Sequence, residues 1–388
     1  MQTIRLYEKD GLCFLFSATV TDVCEHNGKI AAVLDRTAFF PEGGGQPADE
    51  GTLGNVHVFD VREENGIIYH YLEKTPVFQP GDTVNGAVDA DMRFPRMQAH
   101  TGEHLVSGLA HSLYGAENVG FHMDGVVMTV DFDRYLDKDQ LAAVEKEANA
   151  CIWKDLSVTA CNLSEEGDHP LPYRSKLDSI KDPRIVTISG VDRCACCAPH
   201  LPSTGRIGLI KILSSIRHRG GVRLTLICGQ TAYFDYIQKY DQITVICEAL
   251  ALKQYEAADT VLKLIEKDKE YKHLVSVQND RLIAAVADTV PYSDKNYVLF
   301  LDGYDTDELR KLSCICKEKC EGVFIALSGD EHSGYRFSMS AKNGDLRSHL
   351  GIFKNALQAG GGGQANLIQG LMRASKSEIL SFFEAYQL

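Results

Sequence analysis

Two short ligand-bearing segments constrain this chain more than any other feature. In RMQAHTGEHLVSGLAHSLYG, His100 and His104 stand four residues apart. Met97, Leu105, Leu109 and Leu113 lie near helical spacing around them, and Gly115 is a plausible stop. That spacing stacks both imidazoles on one helix face, able to point at one ion. About ninety residues later, in GVDRCACCAPHLPSTGRIG, three residues separate Cys196 from His200, Pro199 among them. A fold that joins the segments surrounds one ion with three imidazoles and a thiolate, a set that suits borderline-soft zinc. On spacing alone, Cys194 or Cys197 could supply the sulfur in place of Cys196, and a metal-free reading makes the cysteines buried thiols beside a surface His. The order His-Thr-Gly-Glu-His is not the zinc-protease motif, which places Glu directly after the first His. Four protein donors form a closed tetrahedral site, the usual form of a structural zinc. Catalysis then needs a fifth position, a labile ligand or a substrate held beside the metal.

The remaining sequence says where such a site could be housed. A chain of 388 residues is too long for one ordinary domain, so two or three are expected. Hydrophobic residues are 44% and charged residues 24%, the profile of a soluble globular protein. No stretch stays apolar for the roughly 18 residues of a membrane helix. The N-terminal MQTIRLYEKDGLCF lacks signal-peptide features, so a cytoplasmic location is expected. In that compartment the 12 cysteines do not suggest a disulfide framework. A net charge of −13 argues against coating nucleic acid nonspecifically. A local basic patch, Arg217, Arg219 and Arg223 beside Lys211, could still grip a few phosphates.

The pattern predicts an α+β protein in four segments. Residues 1–90 alternate as short strands between Gly, Asn, Asp and Pro turns and suggest a small β-barrel. Residues 91–230 mix helices and strands without the rhythm of a doubly wound sheet. Within them, LDKDQLAAVEKEANACIWKDL is an amphipathic helix starting near Asp137 or Asp139. Residues 231–288 read as a helical connector, a long helix or hairpin that could pair with a second subunit. Residues 289–388 read as a compact α/β domain ending in a helix capped by Ser375 or Ser377.

With HTGEHL, CCAPH followed by TGRIG, GGGQPADEG and NVGFHMDG in hand, the chain resembles the editing module of alanyl-tRNA synthetase and its free-standing AlaX relatives. LQAGGGGQANLIQG is similar to the end of the domain that accompanies DHH phosphoesterases and also closes alanyl-tRNA synthetase. Together the matches span nearly the whole chain and point to the long AlaX form. The resemblance implies zinc held by His100, His104, Cys196 and His200, because Cys196 lies four before the His of the CxxxH motif. It implies hydrolysis of the ester that joins serine, sometimes glycine, to alanine tRNA, with tRNA(Ala) as partner and a homodimer as a possible assembly. The family loop is usually CGGTH; here it is CCAPH.

Further candidates follow. Glu103, between the two His, could act as a base. Thr37, Gly44, Gly45, Gln46, Gly120, Phe121 and His122 are candidates for substrate binding, since a site that hydrogen-bonds the serine hydroxyl rejects alanine strongly. Arg217, Arg219 and Arg223, with Gly361, Gly362 and Gly363, are candidates for tRNA contact. No GKS or GKT follows the glycine run, so it is not a nucleotide P-loop. No Asp-His-His triplet occurs, which argues against a DHH phosphoesterase. The competing reading is a non-catalytic tRNA-binding module with a structural zinc.

Overall fold

A computed structural model describes residues 2–166, 171–175 and 181–388, with mixed α+β architecture. These residues form two compact units, Met1–Ile246 and Cys247–Leu388, where the sequence suggested four segments.

In the first unit, β1 (Ile4–Arg5) pairs in parallel with β4 (Arg36–Thr37). The strands β2 (Leu15–His26), β3 (Lys29–Leu34), β5 (Gly51–Leu53), β6 (Val56–Glu64), β7 (Ile67–Leu72) and β8 (Thr83–Val88) close into a barrel in the order β2-β3-β7-β6-β5-β8. Ala18, Val20, Leu34, Val58, Val61, Ile68 and Val84 fill its core; the strands alternate with period two, and the register shift at Val58–Asp60 in β6 lets Val58 and Val61 both face inward.

Helix α1 (Ala90–Tyr114) follows. Asp89 caps it, accepting from the amides of Asp91 and Met92, and Gly115 ends it at φ 61°. Every residue from Pro95 to Ala110 is buried, so the helix has no solvated face along this stretch. Its polar side chains must therefore find partners inside the protein.

Around α1 pack β9 (Asn118–Asp124), β10 (Val127–Phe132), α2 (Lys138–Trp153), β11 (Val158–Asn162), β12 (Arg184–Ile188), β13 (Asp192–Ala195), β14 (Ile210–His218) and β15 (Gly221–Cys228). The sheets run β14-β15-β10-β9 and β11-β12-β13. Asp137, not Asp139, caps α2 with a full capping box to Gln140. Helix α3 (Gly229–Leu250) carries the chain out of this unit.

In the second unit, α4 (Ala257–Thr289) is no free connector. Its C-terminal half puts Ile283 and Ala287 into one core with Leu309, Leu312 and Phe324. The sheet order is β16 (Tyr297–Leu301), β17 (Val323–Asp330), β18 (Gly334–Ala341), β20 (Leu367–Met372) and, at the edge, β19 (Gly360–Gln364). Helices α5 (Thr306–Cys316), α6 (Leu350–Leu357) and α7 (Lys376–Ala385) complete it, and Ser375 caps α7. Among the described residues, no helix is long and apolar enough to cross a membrane.

Candidate metal centre and cavity

Helix α1 and the loop after β13 bring the two ligand-bearing segments together. His100, His104, Cys196 and His200 each offer one donor atom, and the four lie within 4.8 Å of one another. Cys196 Sγ stands 3.6 Å from His100 Nε2 and 3.4 Å from His200 Nε2. A tetrahedral zinc with bonds of about 2.05 Å to nitrogen and 2.3 Å to sulfur separates N and S donors by about 3.6 Å, so these residues fit such an ion.

Each imidazole is steered from its far side. Gln46 Oε1 lies 2.7 Å from His100 Nδ1. An amide oxygen only accepts, so Nδ1 carries the proton and Nε2 is left as the lone-pair donor. Thr101 Oγ1 lies 3.2 Å from His200 Nδ1 and accepts from the Leu201 amide, which ties the ligand loop to α1. Asp192 Oδ2 is 3.3 Å from His104 Nδ1, an ion-pair distance, and among the described residues that nitrogen has no hydrogen-bond partner.

The electrostatics favour metal-binding protonation states at two positions. Burial pushes the Cys196 thiol up, but the adjacent His100 and His200 outweigh it and hold the group well below its ordinary range. The thiolate is the ligating form. Burial pushes His200 down to about 3, the neutral imidazole a ligand needs. His104 goes the other way: burial lowers it, but Asp192 and Cys196 raise it well above the ordinary value. Asp192 itself, despite burial, is held down to about 2 by His104 and Arg174.

Local sequence explains the scaffold. Arg184 donates to the carbonyls of Cys196, Ala198 and Glu8, and so pins the CCAPH loop to β12 and the N-terminal segment. The loop Phe40–Asp49 is clamped from below. Buried Arg93 binds the Asp49 carboxylate and the carbonyls of Gly11 and Ala38, and Arg96 donates to Ala48. Gly45, at φ 86°, comes so close to β9 that an added Cβ would lie 2.6 Å from Phe121 O, and its carbonyl accepts from Met123.

The cluster forms part of the wall of a cavity of about 500 Å³. Gly44, Glu103, Phe121, His100, His104 and Cys196 line it, as do Arg5, Glu8, Asn118, Arg174, Asp182 and Arg184. The Phe121 ring centroid is 4.9 Å from that of His100.

Other sequence candidates are placed elsewhere. Thr37 does not line the cavity: its hydroxyl is engaged with buried His70 at 2.8 Å. Gln46 is fully buried behind His100, with its side-chain oxygen on the His100 ring. Gly45 and Gly120 contribute backbone links, Gly120 N–H donating to Asn118 Oδ1. His122 is exposed, because β9 alternates and Phe121 takes the inward side. Arg223 is not free for phosphate, since Asp131 binds it at 2.6 and 2.7 Å. Arg217 lies over the Tyr135 ring at 4.4 Å, and Arg219 occupies the exposed β14–β15 turn at φ 47°. Gly361, Gly362 and Gly363 lie on β19 in the second unit. The sequence reading missed Thr101, Asn118, Arg174, Arg184 and Asp192. The one available signal was a polar residue one turn from a ligand, as Thr101 and Ser107 are on α1.

Residues 12–92 match the model of class II (A) tRNA synthetases, and residues 184–224 that of the threonyl and alanyl tRNA synthetase second additional domain. The chain is 26% identical to the alanyl-tRNA editing protein AlaX-L of Pyrococcus horikoshii, over 97% of this chain and 96% of that one. It is 28% identical to the alanine–tRNA ligases of Methanococcus maripaludis and Methanopyrus kandleri, over 89% and 92% of this chain. It spans only 40% and 41% of those ligases. The C-Ala domain of Aquifex aeolicus alanyl-tRNA synthetase aligns with 23% of the chain at 19% identity and a TM-score of 0.20. Over nearly its whole length the chain is thus similar to the alanyl-tRNA editing protein AlaX-L, and over most of it to part of the alanine–tRNA ligases.

Proposed function

We propose that this protein is a trans-acting deacylase that hydrolyses the ester of alanine tRNA charged with the wrong amino acid, serine or glycine. The observation that carries this reading is the buried three-His, one-Cys donor set on the wall of a cavity large enough for a small ligand. The match to AlaX-L along nearly all of both chains supports it.

In this reading His100, His104, Cys196 and His200 hold zinc. When bound, the ion would supply a Lewis acid for the ester carbonyl or a bound water of lowered pKa. The chain's own residues do the rest. Gln46, Thr101 and Asp192 orient the three imidazoles, and Phe121 gives the cavity an apolar wall beside His100. Arg217 and Arg219 in the first unit, and Gly361 to Gly363 in the second, are the proposed tRNA contacts. Incubation of the purified protein with serine- and alanine-charged tRNA(Ala) tests the proposal. Faster release of serine is expected, and equal or absent release from both would sink it.

A second reading, a tRNA-binding module with a structural zinc, is favoured by one observation: all four tetrahedral positions are protein donors. His100→Ala separates the two. Loss of deacylation with the fold retained supports catalysis, whereas unfolding on metal loss supports structure.

A further inference from the structure

We propose that Glu103 holds the α-ammonium of the aminoacyl ester, so that the cavity selects esters with a free α-amino group. This rests on the deacylase reading above and adds a determinant to it.

The first observation is that no Lys or Arg is bound directly to this carboxylate, the Arg174 guanidinium across the cavity acting on it only at longer range. The other deeply buried carboxylates of the first unit, Asp49 and Asp192, have Arg93 and Arg174 bound to them. Glu103 is only 4% exposed, yet among the described residues it has no Lys or Arg within 4 Å. A carboxylate removed from water needs a charged partner or several donors. The donors it has are all on one oxygen. Ser107 Oγ and Asn118 Nδ2 both donate to Oε1 at 2.5 Å. Asn118 is itself fixed, donating to Ser107 at 3.1 Å and accepting from the Gly120 amide at 3.0 Å.

Oε1 therefore sets the orientation, and Oε2 is left beside the cavity that Glu103 and Asn118 line. Oε2 lies 4.0 Å from His104 Nε2, one of the cluster's donor nitrogens. In an aminoacyl ester only the α-carbon separates the carbonyl carbon from the ammonium. A substrate with its carbonyl at the ligand cluster thus brings its ammonium to the neighbouring carboxylate. Two other cavity carboxylates are already engaged: Glu8 with Arg5, and Asp182 with the amide and hydroxyl of Ser164. Ser107 and Asn118 act as positioning residues for Glu103.

Glu103→Gln tests this, because the amide oxygen can still accept from Ser107 and Asn118 while an NH₂ replaces Oε2. Two substrates are compared: seryl-tRNA(Ala) and the isosteric ester in which a hydroxyl replaces the α-ammonium. The ratio of their kcat/KM values is expected to fall about 10- to 100-fold in the variant, the worth of a charge-assisted hydrogen bond. Zinc content and melting temperature should match wild type. The dissociation constants of the corresponding non-hydrolysable 3′-amide analogues should shift by the same ratio. An equal fall for both substrates, as a general base or a structural role predicts, overturns the assignment, and so does an unchanged ratio. Should Glu103→Gln fail to fold, Glu103→Asp, which withdraws the carboxylate by one methylene, must show the same direction of change. If wild type hydrolyses neither ester, the deacylase reading itself has failed, a result distinct from an unchanged ratio in an active enzyme.

Discussion

Gly108→Ala is the substitution whose sign best tests the packing behind the ligand helix. In an exposed helix this change stabilises by about 1 kcal/mol, since glycine gives up more backbone freedom than alanine. Here Gly108 faces β13, and an added Cβ would lie 2.6 Å from Asp192 Cβ and 3.0 Å from its Cγ. The Cβ position is set by the backbone, so rotation of the Asp192 side chain cannot relieve that contact and β13 has to retreat. Overpacking of this kind costs roughly 1–3 kcal/mol, which cancels the helix gain and leaves a net loss of up to about 2 kcal/mol. Retreat also pulls Asp192 from His104 Nδ1, now at 3.3 Å, and from Arg174, held at 2.7 and 2.8 Å. Partners behind a ligand typically contribute 10- to 100-fold to metal affinity. Urea unfolding of the metal-free protein and zinc titration against a chromophoric chelator measure the two effects. A variant as stable as wild type, with unchanged zinc affinity, would refute the close-approach argument.

Three more outcomes are expected. Gln46→Leu leaves His100 Nδ1 without its acceptor and should weaken zinc binding about 10- to 100-fold while the melting curve of the metal-free protein moves little; unaltered affinity would remove Gln46 from the site. Arg93→Met strands the Asp49 carboxylate, 1% exposed on its side chain, and should cost about 3–5 kcal/mol. Adding Asp49→Asn should recover part of that, and a loss below 1 kcal/mol from the single change contradicts the clamp. Burial holds His70 at about 4 in the folded protein, against roughly 6.5 when unfolded. The folded state thus disfavours protonation, so the contribution is intact above pH 6.5 and declines as pH falls towards 4, by about 3 kcal/mol in all. His70→Gln should lie below wild type in stability at pH 7 and approach it as pH falls from 6.5 to 4; parallel urea-derived stability curves would disprove the assignment.

Features written in local spacing could be read from the sequence. His100 and His104 reveal themselves because a helix repeats every 3.6 residues. The capping signals Asp137–Gln140 and Ser375–Glu378 locate two helix starts within a residue or two. What could not be read depends on which strands meet. Gln46 looks like a substrate contact next to three glycines, but the Arg93–Asp49 clamp turns it behind His100. Asn118 and Asp192 carry no signal of their own; β9 and β13 bring them to α1 only in the folded chain. Arg223 looks free in IRHRGGVR until the β10–β15 pairing sets Asp131 opposite it. Thr37 likewise looks free in sequence, and its hydroxyl partner His70 stands on a strand 33 residues away.

The edge strand β19 bears on how this protein behaves at high concentration. Added Cβ atoms at Gly361 and Gly363 would meet carbonyls of β20 at 2.2 Å, whereas Gly360 and Gly362 have nothing within 4 Å. Glycine is thus a steric necessity at only two of the four positions. The strand ends its sheet with mostly exposed backbone and no charge or proline to blunt it. Proteins generally guard such borders against strand-on-strand self-association. Lysine at Gly360 or Gly362 would add that guard without touching the fold, and these are the positions to alter if the purified chain proves prone to ordered aggregates.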